Sequence, residues 1–222
     1  MYNTLTADDL ADLNSDLENR SAEEILAWSA DFFGSGLTMA TAFGAEGIVI
    51  ISMLARVAPQ VHVFNLDTGY QFAETVAMRQ RVFEKYGILV EMVQAPESVQ
   101  DMEARLGGPI YRSRPEECCR IRKVEVLKDA LQGKTSWISS IRRDQTAFRA
   151  RAKVLAKDSK FGIMKINPLL NWSKHDVWDF VLKNDVPYNP LHDQGYPSIG
   201  CWPCTKAVED GQDERAGRWA GT

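Results

Sequence analysis

The sequence predicts an α/β fold in which a mostly parallel sheet is flanked by helices. Short apolar runs typical of strands alternate along the chain with longer stretches of helical period. Two of these runs end in glycine-containing turns that lead into the next helix. Such alternation is typical of βαβ units, whose strands lie parallel. Ligands of these sheets bind beyond the carboxyl ends of the strands, which is where we expect the functional residues.

The N-terminal stretch is predicted to be helical. Leu10, Leu13 and Leu17 share one helical face. A second helix begins at Ser21, because Ser21 and Glu24 have the spacing of a capping box before an apolar run. Gly34 and the glycine that follows at position 36 end this helix.

The remaining elements alternate in order. The predicted strands are Leu37–Ala42, Val61–Asn65, Ile88–Val93, Ser136–Ile141 and Ile163–Ile166. The predicted helices between and after them are Glu46–Val57, Tyr70–Tyr86, Glu117–Leu131 and Ser173–Asn184, and Ser173 is the predicted N-cap of the last one. Two irregular stretches, Gly107–Pro115 and Asp185–Pro203, each lie next to a cysteine motif. We predict one domain over residues 1–222.

Composition excludes several classes of function. The chain has 222 residues, 45% of them hydrophobic, and a formal net charge of −4, which argues against a nucleic-acid binder. The sequence has no apolar run of membrane-spanning length and no basic stretch followed by an apolar run, so neither a membrane span nor a signal peptide is predicted. Four cysteines without a secretory signal indicate a reducing compartment, and we expect a cytoplasmic protein.

Those four cysteines form an unusual pattern. Cys118 and Cys119 are adjacent, and Cys201 and Cys204 form a C-x-x-C motif. Four thiolates suit a structural zinc ion or a [4Fe–4S] cluster, and a third interpretation is four buried thiols packed as small apolar groups. Adjacent cysteines do not make a zinc knuckle, and on a helix they point about 100° apart, which favours the larger cluster.

The turns after the first two predicted strands are candidates for nucleotide binding. Thr41–Gly47 joins a strand to a helix, so its backbone N–H groups are available to a phosphate. The alternative is that this segment is an ordinary tight turn without a ligand, because glycine motifs are weak signals. Asn65–Gly69 follows the next strand, where Asp67 and Thr68 either cap a helix or contact a nucleotide.

Basic residues are concentrated in three places in this acidic chain. The segment from Arg142 to Lys160 contains seven Lys and Arg residues against two acids. A second cluster follows the adjacent cysteines, and a third lies near the C-terminus; their members are Arg120, Arg122 and Lys123, then Arg215 and Arg218. This pattern favours a small polyanionic ligand over a nucleic acid. Of the three histidines, His62 is expected to pack in a strand, and His192 is placed to line a site.

Several of these motifs occur together in one known family. They are A-F-G-A-E at Ala42–Glu46, L-D-T-G at Leu66–Gly69, C-C-R-I-R-K at Cys118–Lys123, R-R-D-Q at Arg142–Gln145, and the C-terminal G-C-W-P-C-T and E-R-A-G-R-W. With these motifs, residues 20 to 222 resemble the assimilatory adenylylsulfate (APS) and phosphoadenylylsulfate (PAPS) reductases. The resemblance implies an adenine-nucleotide α-hydrolase-like fold.

The resemblance also implies roles for individual residues. Thr41, Ala42, Phe43 and Gly44 would form a modified pyrophosphate loop, and Leu66 and Thr68 would lie near the adenosine. The phosphosulfate would be surrounded by Lys123, Arg142, Arg143, Arg149, Arg215 and Arg218. A [4Fe–4S] cluster would be held by Cys118, Cys119, Cys201 and Cys204, and family members with these cysteines prefer APS.

The implied reaction is the thioredoxin-dependent reduction of APS to sulfite and AMP through an S-sulfocysteine intermediate. The family's nucleophilic cysteine lies in a short tail after E-R-A-G-R-W, so we expect it beyond Thr222 and expect this chain by itself to be inactive. Ser139-Ser140-Ile141 precedes R-R-D-Q where relatives usually include a glycine, and Gly47 stands beside Glu46 where relatives often carry an acid. Relatives often form homo-oligomers.

Three alternatives remain at this point. One is a PAPS reductase, and another is a non-catalytic iron–sulfur or nucleotide-binding relative. The third is an ATP pyrophosphatase or the small subunit of an ATP sulfurylase, but those need a Ser-Gly-Gly-x-Asp-Ser loop that Ala42–Gly47 lacks.

Overall fold

A six-stranded sheet forms the centre of the molecule. The computed structural model describes residues 5–209 and 211–219. Its strands are β1 Leu37–Thr41, β2 His62–Asp67, β3 Glu91–Gln94, β4 Ser136–Ile138, β5 Leu155–Asp158 and β6 Ile163–Ile166. They lie in the order β3-β2-β1-β4-β6-β5, and every pair is parallel except β5 with β6. The predicted mostly parallel sheet is therefore confirmed.

Helices lie on both faces of this sheet. They are α1 Ala7–Leu17, α2 Ala22–Phe33, α3 Ala45–Val57, α4 Ala73–Tyr86, α5 Val99–Leu106, α6 Pro115–Cys119, α7 Glu125–Ala130 and α8 Lys174–Lys183. The main core joins residues of α2, α3 and α8 to one face of the strands. On the other face, a smaller core around Phe64, Leu131 and Trp137 lies beneath α7. None of the described helices is long and apolar enough to cross a bilayer.

The helix starts follow the predicted capping residues. Ser21 accepts a hydrogen bond from the Glu24 backbone N–H at 3.2 Å, and the Glu24 carboxylate accepts from the Ser21 N–H at 2.7 Å. Ser173 caps α8 with the same reciprocal arrangement. Each cap satisfies backbone groups that a helix end leaves without an intrahelical partner, so short polar residues set these boundaries.

Several local predictions differ from the structure. β3 begins at Glu91 and not at Ile88, and β4 ends at Ile138 and not at Ile141. The helix predicted from Tyr70 begins at Ala73, because Gln71 forms a β-bridge with Cys201. The strand β5 and the helix α5 were not predicted. The sequence of β5 lies within the basic segment, where charge obscures the alternation of side chains. The predicted domain spans 1–222, of which residues 1–4, 210 and 220–222 lie outside the described part.

The helix predicted over Glu117–Leu131 contains a π-helical turn. α6 ends at Cys119, residues Arg120–Val124 form the π turn, and α7 follows without a break. π turns are rare in helices, and those that occur are often found at functional sites. Here it contains Arg122 and Lys123, one turn after the adjacent cysteines.

Candidate active site

The carboxyl ends of β1, β2 and β4 open into a cavity of about 400 Å³. Its lining includes Thr41 and Ala42 after β1, and Leu66 and Thr68 at the end of β2. Ser139 and Ser140 follow β4 and form another wall. The cavity lies where the topology predicts a ligand, because parallel strands end at one edge of the sheet.

Four cations line this cavity. They are Lys123, Arg149, Lys165 and Arg218, and no carboxylate is among the described residues that line it. Burial, and then the neighbouring Arg215, lower the pKa of both Arg149 and Arg218. Burial likewise lowers the pKa of Lys165. Cations gathered in a cleft without counter-charges favour an anionic ligand.

A second cavity of about 200 Å³ adjoins the first one. The two share Arg149 and Arg218 in their walls, and the second adds Gly44, His192 and Arg215. We call this smaller space the anion subcavity. Its two carboxylates, Glu46 and Glu214, are both paired with the buried guanidinium of Arg142.

The turn after β1 has a strained backbone. Phe43 is fully buried and adopts a positive φ of 55°, and its N–H donates to Thr41 Oγ1 at 3.1 Å. Gly47, in the first turn of α3, allows close approach of Thr41, because a Cβ at this position would lie 2.7 Å from Thr41 Oγ1. Positive φ in a bulky residue is uncommon and clusters at ligand sites.

The turn after β2 is fixed by its own side chains. Asp67 accepts a hydrogen bond from the Gly69 N–H at 2.9 Å, and Thr68 Oγ1 accepts from the Tyr70 N–H at 3.2 Å. Neither side chain caps α4, because that helix begins after Phe72. Thr68 Oγ1 also lies 3.2 Å from Cys201 Sγ, which joins this turn to the C-x-x-C motif.

The fold brings the four cysteines into one region. Cys118, Cys201 and Cys204 are buried in a common cluster with Tyr70 and other apolar residues, and Cys119 is half-buried. Burial, with the nearby Cys119, Cys201 and Cys204, raises the pKa of Cys118 to about 11. Burial also raises the pKa of Cys204. Thiols that raise one another's pKa would be stabilised as thiolates by a shared cation, which fits a metal centre.

The donor type of the cysteines fits a metal centre. All four are free thiols. Four thiolates are the donor set of a [4Fe–4S] cluster and also of a structural zinc site, so the residues present fit either group.

The C-x-x-C motif is also joined to the arginines of the anion subcavity. Thr205 forms a β-bridge with Arg218, and Lys206 N–H donates to the Gly217 carbonyl at 2.9 Å. The Arg218 guanidinium donates to the Ile199 carbonyl at 3.2 Å. These contacts place the E-R-A-G-R-W segment over the cavity.

Two predicted phosphosulfate ligands lie elsewhere. Arg142 is 2% exposed and pairs with Glu46, Asp144 and Glu214. Arg143 pairs with Glu18 at 2.5 Å and lies in a shallow surface cleft beside α1. Neither residue lines the cavity or the anion subcavity, and in this structure both guanidinium groups form ion pairs, so their contact with the phosphosulfate stays a prediction. Phe43 contributes its backbone conformation to the turn, and its side chain belongs to the core.

Other lining residues were not predicted. Lys165 lies over the Trp137 ring, 4.7 Å from its centroid, and both face the 400 Å³ cavity. A lone lysine in the apolar strand Ile163–Ile166 was the available sequence signal. Gln71 donates to Asn65 at 2.9 Å and to the Leu66 carbonyl at 3.1 Å, and thereby fixes the end of β2.

Comparison with known proteins decides the family. Residues 36–207 match the family model described as "Phosphoadenosine phosphosulfate reductase domain". This chain belongs to that family. Members are oxidoreductases of sulfate reduction that act on a nucleotide sulfate.

Individual relatives agree with this assignment. An adenosine 5'-phosphosulfate reductase of Oceanobacillus iheyensis is 39% identical over 222 residues, which is 100% of this chain and 92% of the relative. A phosphoadenosine 5'-phosphosulfate reductase of Gloeobacter violaceus is 43% identical over 207 residues, covering 92% of this chain and 86% of the relative.

The fold agrees with a solved member of the family. The crystal structure of a PAPS reductase from Candida auris, in complex with phosphate, superposes with a TM-score of 0.82 at 30% identity. The superposition covers 92% of this chain and 98% of that one. The predicted adenine-nucleotide α-hydrolase-like class is confirmed.

Proposed function

We propose that this protein reduces APS to sulfite and AMP, with thioredoxin as the reductant. The observation that carries this proposal is the cavity with four cations and no carboxylate in its described lining. A ligand that neutralises these cations carries at least two negative charges. It also carries an apolar or aromatic group, which packs against Ala40, Leu66 and Trp137 in the cavity wall. A nucleoside 5'-phosphosulfate has both properties.

The two connected cavities support a position for the nucleotide. We place the adenosine in the 400 Å³ cavity, against Leu66 and Trp137. The phosphosulfate then lies where that cavity meets the anion subcavity, between the Thr41–Gly44 turn and Arg149 and Arg218. Lys123 approaches from the π turn and faces the same space.

The chemistry is a transfer of the sulfonate group to sulfur. A cysteine thiolate attacks the sulfur atom of APS, an S–S bond forms, and the S–O bond to phosphate breaks. AMP leaves with that electron pair. A dithiol of thioredoxin then reduces the S-sulfocysteine, which releases sulfite and leaves a disulfide on thioredoxin. The cavity cations offset the repulsion between the thiolate and the anionic substrate and stabilise charge on the leaving phosphate.

The attacking cysteine is proposed to follow Thr222. We assign Cys118, Cys119, Cys201 and Cys204 to a [4Fe–4S] cluster, which leaves no other thiol in this sequence. When bound, the cluster would supply an electrostatic field beside the Thr68–Cys201 contact and need not change its redox state. A reducing cytoplasm, which we propose as the location, keeps these thiols free of disulfides.

A PAPS reductase is the second candidate. The observation that favours it is the name of the Gloeobacter violaceus relative, which shares 43% identity. The four cysteines are the reason to place APS first.

The decisive experiment measures binding and turnover separately. The chain, prepared without oxygen, is titrated with APS and with PAPS, and sulfite release is then measured with reduced thioredoxin. The matched comparison is the same chain extended at its C-terminus by a segment that carries a cysteine. We expect both forms to bind APS and only the extended form to release sulfite. Absence of APS binding in both forms would reject the proposal.

Gly200→Ala is expected to weaken APS binding about 10- to 100-fold. A Cβ at this position would lie 2.4 Å from Arg218 Nη2 and would displace the guanidinium. Loss of one charge-assisted hydrogen bond costs about 1.5–3 kcal/mol, and about 1.4 kcal/mol is a factor of ten in affinity. Calorimetric titration of APS measures the change.

The same mutation has a specific control. If Gly200→Ala acts through Arg218, the double variant with Arg218→Ala should bind APS no more weakly than Arg218→Ala alone. Additive losses in that cycle would contradict the displaced guanidinium as the cause.

A further inference from the structure

His192 lies in the wall of the anion subcavity, where one of its ring nitrogens contacts the protein. Its Nδ1 lies 2.8 Å from the Tyr196 carbonyl oxygen. Its Nε2 is buried and has no hydrogen-bond partner among the residues that the structure describes. The ring packs edge-on against Trp178, with the centroids 5.2 Å apart.

These contacts fix the position of the ring protons. A carbonyl oxygen only accepts, so Nδ1 must carry the proton of the neutral ring. Nε2 of the neutral ring is then an unprotonated acceptor. It can donate a hydrogen bond only if the ring takes up a second proton and becomes a cation.

The surroundings keep the ring neutral when the subcavity is empty. Burial lowers the pKa of His192, and Lys174 lowers it further, whereas the Tyr196 carbonyl, Asp193 and Glu214 raise it. His192 and Glu209 also both line a separate cavity beside Lys174, at the start of α8. From the anion subcavity the ring is faced by Arg149, Arg215 and Arg218, with Glu46 and Glu214 held by Arg142.

We propose that His192 is a substrate-contacting residue that takes up one proton when the phosphosulfate binds and donates a hydrogen bond from Nε2 to an anionic oxygen. The inference rests on the proposed function, because it needs the phosphosulfate in the anion subcavity. An anion in the subcavity adds negative charge beside the ring, as Asp193 and Glu214 do, and so favours the protonated ring. A neutral Nε2 would instead place its lone pair against an oxygen anion and leave a buried acceptor unsatisfied.

The proton uptake sets the sign of the pH dependence. The pKa of His192 is low in the free protein and raised in the complex, so binding takes up a proton at any pH between the two values. APS affinity should therefore rise as the pH falls, by up to tenfold per pH unit, and level off below the free pKa. APS and inorganic sulfate suit this test because neither ligand titrates near neutral pH, whereas a phosphate monoester has a pKa of about 6.

The test is calorimetry of APS and of inorganic sulfate binding in buffers with different ionisation enthalpies. Wild-type protein is expected to take up close to one proton per APS at a pH between the two pKa values. His192→Gln should bind APS more weakly at low pH and take up none. His175→Gln is the matched control, because His175 is 83% exposed on α8, and it should behave as wild type.

Wild-type protein alone also tests the proposal if His192→Gln fails to fold. The chain has three histidines, so the ring-proton NMR signals can be assigned with His62→Gln and His175→Gln. The His192 signal should titrate at a higher pH with APS bound than without it. APS binding with no proton uptake and an unmoved His192 titration would overturn the inference and leave the proposed function intact. Absence of APS binding would instead reject the proposed function.

Discussion

Arg142→Ala is expected to lower the free energy of unfolding by about 1–3 kcal/mol, because it removes a buried guanidinium that pairs with three partly exposed carboxylates. The guanidinium is 2% exposed, and it lies 2.9 Å from Asp144 and 3.5 Å from Glu214. It also donates to Glu46, which is 19% exposed. Removing a single partner of such a network costs more than removing a surface ion pair.

The effect should extend to the site. Glu46 belongs to the first turn of α3, and Glu214 belongs to the segment that carries Arg215 and Arg218. Arg142 therefore joins the turn after β1 to the arginines above the cavity. We expect the variant, where it folds, to bind APS more weakly although Arg142 lines neither cavity.

Chemical denaturation of the wild type and the variant measures the stability change. Arg20→Ala is the control, because Arg20 pairs with Asp16 at the surface and both side chains are at least 37% exposed. It should change the free energy of unfolding by no more than about 1 kcal/mol. Equal losses of unfolding free energy in the two variants would show that the buried ion pairs of Arg142 stabilise the protein no more than a surface ion pair does.

Cys201→Ser is expected to abolish the bound iron and to weaken APS binding with it. Cys201 is buried, its Sγ lies 3.2 Å from Thr68 Oγ1, and it forms the β-bridge with Gln71. Its loss removes one of four proposed ligands and loosens the loop that leads through Thr205 to Arg218. Iron, zinc and acid-labile sulfide are measured in protein prepared without oxygen.

Two results are distinguished by this measurement. About four irons with matching sulfide in the wild type, and almost none in Cys201→Ser, agree with the cluster. One zinc per chain in the wild type would show that the assignment of a cluster is wrong. Thr205→Val is the control, because it changes a buried side chain beside Cys204 and keeps all four thiols. It should retain the iron of the wild type.

The sequence predicted the elements that depend on local signals. The capping residues Ser21 and Ser173 are confirmed, because a cap is a contact between residues three apart. The parallel sheet followed from the alternation of apolar runs, and it placed the turns after β1 and β2 at one edge. The [4Fe–4S] cluster, the reductant and the catalytic tail stay predictions.

Charge pairing could not be predicted in the same way. Arg142 and Arg143 are adjacent, and the extended backbone at Arg142, with φ −119° and ψ 153°, directs their side chains to different surroundings. One meets Glu46 and Glu214, and the other meets Glu18. Asp144 is a local partner of Arg142, but Glu46, Glu214 and Glu18 are distant in sequence, so the local pattern does not reveal how each cation is neutralised.

The sequence by itself determined the α/β class, the helix boundaries at Ser21 and Ser173, and the set of motifs that carries the family resemblance, because each depends on residues close together in the chain. Only the tertiary structure decided which cations remain unpaired around the cavity, since that depends on carboxylates supplied from other segments. It also placed His192 against the anion subcavity, a position that follows from how the loop after α8 packs on Trp178 and not from the residues beside it.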